Sequence, residues 1–280
     1  MRTAERPRLS FREHGPQRVF TTLWQNRKLV YRLAKREVAS RYRGSLLGFA
    51  WSFVTPVLML AVYTFVFSVV FRVRWEVGVG SRAEFALVLF VGLIVFQLFS
   101  ECVGRAPGLM LENISYIKKV VFPLEALAWV SMGSALFNAL VSSIVLIFAH
   151  LILVGLPPIT ALWLPTVLLP LVPLTMGGIW FLSSVGVFLR DIRQVVGVVL
   201  PILMFMSPIF YPVSALPEQM RTLMYLNPLT YIIEQARNVV LFGLMPDFLG
   251  LALYLVLALG VAWLGLAWFL LTKRGFADVV

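Results

Sequence analysis

Long apolar runs separated by short polar segments dominate the chain from residue 46 onwards. Crossing a bilayer takes roughly 20 apolar residues, so each long run is a candidate membrane span. The candidate runs cover residues 46–71, 85–103, 126–154, 162–188, 195–211 and 248–271. Pro56 interrupts the first run, at a place where a membrane helix tolerates a kink. The pattern therefore predicts an all-α integral membrane protein with six transmembrane helices.

The chain before the first run is polar and basic. Residues 1 to 20 have the composition of a loose tail, whereas apolar residues recur at helical spacing from residue 22 to residue 40. Lysines and arginines fill the other positions of that segment, a pattern typical of an amphipathic helix lying along a membrane surface. We therefore expect residues 1–45 to form a cytoplasmic tail and interface helix, and residues 46–280 to form the transmembrane domain.

Two polar segments inside the transmembrane domain have helical patterns of their own. Residues 111–123 predict a short amphipathic helix that ends near Pro123. Residues 213–247 are too polar to span a membrane and too apolar for a free loop. We interpret them as two short helices that dip into the outer leaflet and return. Glu234 and Arg237 are expected to pair on the wet side of the second of these helices.

Composition and charge agree with a membrane protein and set its orientation. Hydrophobic residues make up 60% of the chain and charged residues 13%, whereas soluble domains carry about 25% charged residues. The net charge of +11 does not indicate nucleic-acid binding, because 19 of the 24 lysines and arginines fall in segments predicted to be cytoplasmic. That bias predicts a multi-pass protein of the plasma (inner) membrane with both termini in the cytoplasm, in contact with anionic lipid.

The sequence offers little catalytic chemistry. It has no nucleotide phosphate loop, no G-x-S-x-G and no H-E-x-x-H motif, and Cys102 is its only cysteine. We therefore predict no catalytic site and no metal site. Glu101 is the one carboxylate placed at a predicted span, and a carboxylate inside a membrane is a functional candidate. The alternative is a structural role, in which Glu101 meets a neighbouring arginine or a backbone N–H.

Aromatic residues mark the first and fifth runs. Aromatic rings stack on the apolar faces of sugars without requiring one fixed register, so an aromatic face suits a sliding glycan. The alternative for any one of them is packing or contact with lipid. The candidates for lining a channel are Phe49, Phe53, Tyr63, Phe67, Phe71, Phe205, Phe210 and Tyr211.

A series of motifs resembles type-2 ATP-binding-cassette exporters of polysaccharides. The motifs occur in the family's order and extend from about Trp24 to the C-terminus, and six of them in register make the resemblance specific. They are RYRGSLLGFAWS (41–52) with Pro56 and YTFVF (63–67), FSE (99–101), IKKVVFP (117–123), LRDI (189–192), SPIFYP (207–212) and LNPL (226–229). The nearest members are the membrane subunits of O-antigen exporters, followed by teichoic acid and capsule exporters.

The resemblance implies the partners and the cargo. It implies a homodimer joined to two copies of a separate ATPase, which binds ATP and Mg²⁺, so this chain is expected to carry no cofactor and to be no enzyme. The cargo would be an undecaprenyl-pyrophosphate-linked glycan that enters near Arg41 and Arg43. The alternative for these two arginines is the positive-inside rule alone, which places them there without a ligand.

The resemblance also assigns roles to individual segments. The first and fifth spans would line the channel, and residues 213–247 would form a re-entrant outer gate. The segment near residues 111–123 would be the coupling helix that docks on the ATPase. Its candidate contact residues are Glu112, Asn113, Tyr116, Lys118 and Lys119.

Other functions compete with glycan export. A small-molecule exporter of the same superfamily shares the topology. A membrane-embedded glycolipid transferase would need a cluster of acidic or histidine residues at one membrane face, and the sequence has none. A non-transporting scaffold is the third. An exporter subunit should copurify with an ATPase, whereas a transferase should not.

Overall fold

Helices build the whole of the described chain. The structure is a computed structural model that describes residues 18–66, 82–118 and 122–279, and these ranges contain no strand. The α-helices are α1 (Arg18–Tyr42), α2 (Trp51–Thr64), α3 (Arg82–Leu109), α4 (Ile114–Ile117), α5 (Ala126–Leu153), α6 (Leu164–Leu168), α7 (Leu171–Phe188), α8 (Ile192–Phe205), α9 (Glu218–Leu226), α10 (Pro228–Val240), α11 (Phe248–Thr272) and α12 (Phe276–Val279).

Four of the six predicted runs are helices long and apolar enough to cross a membrane. These are Glu84–Leu109, Ala126–Leu153, Ile159–Phe188 and Phe248–Val279. The other two runs contain shorter apolar helices, Gly48–Thr64 and Ile192–Phe205. Residues 67–71 of the first run lie outside the described residues. The all-α prediction is therefore confirmed for the described chain, together with four of the predicted crossings by length and composition.

Helix α3 lies at the centre of the fold. It packs against α2, α5, α7, α8 and α10. In its most apolar stretch of 18 residues, 72% of the residues are buried, compared with 28% in the corresponding stretch of α5. Leu87, Leu89 and Val95 have no exposed surface. A helix that is apolar nearly all round is expected at such a central position.

Helices α7 and α11 approach each other through small residues. A Cβ atom added to Gly177 on α7 would lie 2.6 Å from the carbonyl oxygen of Val261 on α11, and one added to Gly265 would collide with the backbone of Gly177. Small residues let membrane helices approach until their backbones touch, which strengthens van der Waals packing. The two helices are therefore fixed to each other along this seam.

Two glycines form the elbow between α1 and α2. Gly44 has a φ of 85° and Gly48 a φ of 51°, in the left-handed region that favours glycine. The chain can therefore leave α1, which packs against α5, and change direction before α2 begins at Trp51.

Segments predicted to lie on the same side of the membrane meet in the structure. At one end Arg36 donates to the hydroxyl of Tyr116 (3.0 Å), and Lys273 pairs with Glu125 (2.6 Å). At the other end Thr160 donates to the carbonyl oxygen of Val239 (2.7 Å). This grouping agrees with the predicted topology, in which the chain crosses the membrane between these segments.

Candidate functional site

Helix α3 exposes one polar stripe although most of its surface is buried. Its partly or fully exposed positions include Gln97, Ser100, Glu101, Gly104 and Arg105, whose spacing places them on one side of a helix. Helix α2 lies beside this stripe on one side and α8 on the other. We call these five residues the polar face. Polar side chains in membrane spans usually face a protein interior or a hydrated cavity rather than lipid.

A cavity lies on each side of the polar face. The first has a volume of about 500 Å³ and lies between α2, α3 and α5, where Ser52, Tyr63 and Asn138 line it. The second has a volume of about 460 Å³ and lies between α3 and α8. Gln97, Glu101 and Arg105 border both cavities. The polar face therefore continues from the α2 side to the α8 side of the fold.

Charges at one end of the polar face form an alternating network. Glu101 accepts a hydrogen bond from Arg41, and Asn138 on α5 donates to both of its carboxylate oxygens (2.8 and 3.1 Å). Glu37 on α1 pairs with Arg105 and lies 3.7 Å from Arg41. Two carboxylates and two guanidinium groups thus compensate one another, which lowers the cost of placing charge beside membrane-spanning helices. The network ties α1 to α3 and α5.

The two predicted pyrophosphate ligands have different surroundings. Arg41 is engaged by Glu101 and Glu37, so Glu101 has the arginine partner that a structural role requires. Arg43 is exposed at the elbow and forms no ion pair with another residue of ranges 18–66, 82–118 and 122–279. The two arginines therefore differ in their surroundings, and their role in binding phosphate stays a prediction.

The candidate channel aromatics form two separate groups, one around the start of α2 and one at the end of α8. Phe49 contacts Phe53 (6.2 Å between ring centroids) and Phe137 on α5 (5.6 Å). Phe205 contacts Phe210 (5.6 Å). Phe49, Phe53 and Phe205 are exposed by 52%, 39% and 62%, so they do not belong to the core of one subunit.

The remaining aromatic candidates have other positions. Tyr63 lines the 500 Å³ cavity, and Tyr211 donates to the carbonyl oxygen of Phe205 (2.7 Å). Phe67 and Phe71 lie outside the described residues. Channel lining by this set as a whole stays a prediction.

The predicted coupling segment forms a 3₁₀ turn, Leu111–Asn113, followed by the single helical turn α4. Tyr116 stacks on Phe122 (4.3 Å, interplanar angle 13°) and accepts a hydrogen bond from Arg36 on α1. The side chain of Asn113 donates to the carbonyl oxygen of Leu109 at the end of α3 (2.8 Å). The exposed side chains of the segment include Glu112 and Lys118, and Lys119 lies outside the described residues.

The expected exposure of Arg237 was wrong. Arg237 is 3% exposed and donates to the carbonyl oxygens of Val88 on α3 (3.1 Å), Pro208 (2.6 Å) and Ile209 (2.8 Å). The irregular backbone after α8 leaves carbonyl groups that need donors, and the guanidinium group supplies them. The sequence contained a signal for this position, because Arg237 lies on the same side of α10 as the apolar residue Ile233, four positions earlier.

Sequence analysis also missed a polar cavity formed by α9, α10 and the loop after α8. We call it the outer cavity. It has a volume of about 470 Å³, and Ser214, Arg221, Tyr225, Glu234 and Asn238 are among the residues that line it. The hydroxyl of Tyr225 donates to Glu234 (3.2 Å). Burial raises the pKa of Glu234, whereas the bond from Tyr225 and the charge of Arg237 oppose that rise.

Comparison with known proteins gives one family match and several curated relatives. The model of the family described as "ABC-2 type transporter" matches residues 28–241. The O-antigen export system permease protein RfbA of Myxococcus xanthus is 28% identical over 265 residues, which cover 94% of this chain and 99% of the relative. RfbA of Klebsiella pneumoniae is 25% identical over 256 residues (90% and 95%). The polysialic acid transport protein KpsM of Escherichia coli is 25% identical over 245 residues (85% and 91%).

Proposed function

This chain belongs to the ABC-2 type transporter family, and on that premise we propose that it is the membrane subunit of an ATP-driven exporter of lipid-linked polysaccharide. O-antigen is the first candidate cargo, because the relatives named as O-antigen export permeases match nearly the whole chain. A polysialic acid transport protein matches 85% of the chain, which makes capsule polysaccharide the second candidate.

The polar face of α3 is the observation that carries this proposal. A membrane helix that exposes Gln97, Ser100 and Arg105 on one side needs a hydrated or protein-covered surface there. In a homodimer the second copy closes over this face, and the two copies enclose a hydrated path between their α2 and α8 helices. The exposed rings of Phe53 and Phe205 then belong to the walls of that path, where a sugar chain can stack and slide.

Six crossings complete the topology in this proposal. Helices α2 and α8 have 14 residues each, which at 1.5 Å per residue span about 21 Å of a roughly 30 Å hydrocarbon core. Adjoining residues of the same apolar runs supply the remaining length. Both termini then lie in the cytoplasm, the protein lies in the inner membrane, and α9 and α10 dip into the outer leaflet from the opposite side.

A separate ATPase drives the cycle through the segment near α4. The ATPase binds ATP and Mg²⁺ and docks on the exposed side chains of Glu112 and Lys118. Displacement of the segment reaches α1 through the Tyr116–Arg36 hydrogen bond and α3 through Asn113. The ion pairs between α1 and α3 then move the polar face together with α1. Mechanical coupling therefore follows contacts that already connect these elements.

The cargo enters at the elbow between α1 and α2. A pyrophosphate group offers several anionic oxygens, and arginine is well suited to bind such groups in a bidentate manner. Arg43 is exposed there, and Arg41 is shared with Glu101 and Glu37. The incoming pyrophosphate competes with these carboxylates for Arg41, so binding of cargo loosens the ion pairs that hold α1 to α3.

Deletion of this subunit in cells tests the proposal. The expected result is loss of surface glycan and accumulation of the undecaprenyl-linked polymer on the cytoplasmic side, and analysis of the trapped polymer identifies the cargo. Normal surface glycan in the deletion strain would exclude polysaccharide export and favour a small-molecule exporter. Copurification provides the second criterion, since absence of an ATPase would favour a glycolipid transferase or a scaffold.

A substitution in the polar face tests the observation behind the proposal. Gln97→Leu together with Ser100→Leu removes the two uncharged polar side chains of the polar face and leaves the charged pair Glu101 and Arg105 in place. Export is expected to fall at least tenfold with unchanged protein level, whereas Leu93→Ile, a conservative change on the same helix, should leave export unchanged. Normal export by the double variant would show that the polar face does not line the path.

A further inference from the structure

The outer cavity is separate from the polar face and lies beside the loop that follows α8. Its volume of about 470 Å³ falls within the range of about 300–1,000 Å³ that is typical of small-molecule sites. Asn227, between α9 and α10, donates to the carbonyl oxygen of Met206 (3.2 Å) and to the hydroxyl of Ser207 (2.9 Å). These bonds hold the two short helices against the outer end of α8, which flanks the proposed path.

The two arginines of the outer cavity are engaged by backbone carbonyl groups. Arg221 donates to Leu216 (2.8 Å) and Ser214 (2.9 Å), and Arg237 donates to the three carbonyl oxygens described above. These bonds direct both guanidinium groups at the local backbone rather than at a ligand, and the carboxylate of Glu234 adds a negative charge to the same wall, so a neutral ligand is favoured over an anionic one. A metal ion is disfavoured as well, because the described part of the chain holds no cluster of three or more metal-ligating residues of the His, Cys, Asp and Glu types.

The other lining groups suit a neutral molecule with many hydroxyl groups. Glu234 and Asn238 are one helical turn apart on α10, so a carboxylate acceptor and an amide, which both donates and accepts, face the same space. Ser214 adds a hydroxyl group, and Tyr225 and Phe242 add aromatic rings at the wall. Hydrogen-bonding groups beside aromatic rings match the hydroxyl edges and the apolar faces of a pyranose.

We propose that the outer cavity is a binding subsite for a neutral sugar residue of the emerging glycan. The inference rests on the proposed function, since it places the subsite at the outer mouth of the export path. A sugar that is hydrogen-bonded to Glu234 and Asn238 and packs on the neighbouring aromatic rings resists sliding back while the ATPase resets. The subsite binds weakly, because a tightly held residue would stop export.

Binding of simple sugars to the purified full-length chain in nanodiscs tests the subsite. The probes are the methyl glycosides of mannose, galactose and rhamnose, observed by saturation-transfer NMR, with N-acetylneuraminic acid as the anionic comparison. At least one neutral probe is expected to receive saturation and to bind with a millimolar Kd. Glu234→Ala and Asn238→Ala should each raise that Kd at least fivefold, whereas Glu218→Ala, an exposed glutamate on α9 outside the cavity, should not change it.

Several outcomes would overturn the proposal. The first is that no neutral probe receives saturation. The second is that Glu234→Ala and Asn238→Ala bind the probe with the same Kd as the wild-type chain. The third is that the anionic sugar binds more tightly than every neutral probe. Glu234→Gln keeps a hydrogen-bond acceptor of the same shape, so partial recovery with this variant separates lost binding from lost folding. A chain that supports normal surface glycan but binds no sugar here refutes the subsite alone, whereas normal surface glycan without the chain refutes the proposed function.

Discussion

Replacement of the buried Arg237 should detach the outer short helices from the membrane core. Arg237→Met keeps an unbranched apolar stem but removes the guanidinium donors to the carbonyl groups of Val88, Pro208 and Ile209. Gly92 leaves room for the guanidinium group, because a Cβ atom there would lie 3.1 Å from an Nη atom of Arg237. The perturbation thus breaks the bonds that join α10, α3 and the loop after α8 at one point.

The size of the effect follows from the number of bonds. The carbonyl of Val88, inside α3, still accepts from the backbone N–H of Gly92, so only the carbonyls of Pro208 and Ile209 lose their donor. A buried carbonyl without a donor costs about 1–3 kcal/mol, so the two cost about 2–6 kcal/mol. Removing the buried cation returns a desolvation penalty of several kcal/mol. A net loss of about 1–3 kcal/mol in the free energy of unfolding is the expected balance. Arg237→Lys should lose less, because an ammonium group keeps the charge but cannot reproduce the planar fork of donors.

Thermal unfolding and limited proteolysis measure this loss. Arg237→Met should melt several degrees below the wild type. Trypsin should also cut faster after Arg221, because α9 packs against α10 and is loosened together with it. The matched control is Arg190→Met, which removes an exposed arginine between α7 and α8. Melting and cleavage rates of Arg237→Met equal to those of the control would refute the reasoning, since the three bonds would then contribute nothing to the native state.

Three further predictions follow from contacts elsewhere in the fold. Arg41→Glu and Glu101→Arg should each reduce export and protein level, and the double variant should recover part of both, because it restores an opposite pair between α1 and α3. Additive losses in the double variant would contradict the ion pair. Burial raises the pKa of Glu234, so the folded state loses stability as pH rises through that pKa. Glu234→Gln should therefore raise the melting temperature at pH 8 more than at pH 4, and an equal change at both values would show that ionisation is not involved. Gly177→Val should abolish stable accumulation of the protein, because its Cβ would lie 2.6 Å from the carbonyl oxygen of Val261, and normal accumulation measured by immunoblotting would refute the close α7–α11 contact.

The apolar pattern predicted the positions and lengths of the long helices well. The run expected at residues 126–154 is the helix Ala126–Leu153, and the run expected at 248–271 is the helix Phe248–Thr272. The two short helices expected within residues 213–247 are α9 and α10, and the structure shows that Asn227 caps α10 by accepting from the N–H of Leu229. Periodicity and capping depend on neighbours in sequence, which is why sequence analysis could identify them.

Contacts between segments that are distant in sequence could not be predicted from these local patterns. Arg41 and Glu101 are 60 residues apart, and Arg237 and Val88 are 149 residues apart. The sequence placed Glu101 at a predicted span and left a neighbouring arginine or a backbone N–H as its structural partner, but it could not choose between them or among the arginines. The outer cavity needs α9, α10 and the loop after α8 together, so no single segment carries a signal for it. Pair geometry of this kind depends on packing, which a single sequence does not encode as a local pattern.

The central position of α3 also has a consequence for biosynthesis. The ribosome synthesises α1 and α2 before α3, and it synthesises α5, α7, α8 and α10, which also bury α3, afterwards. Arg41 is therefore already present when Glu101 is synthesised. Asn138 comes 37 residues after Glu101, and the arginine that reaches Val88 comes far later. Chains elongate from the N-terminus at about 5–20 residues per second, so the newborn helix spends seconds in the bilayer without its final neighbours. The first long-range contacts available to the nascent chain are therefore the ion pairs between α1 and α3, and the contact of α10 with α3 is the last.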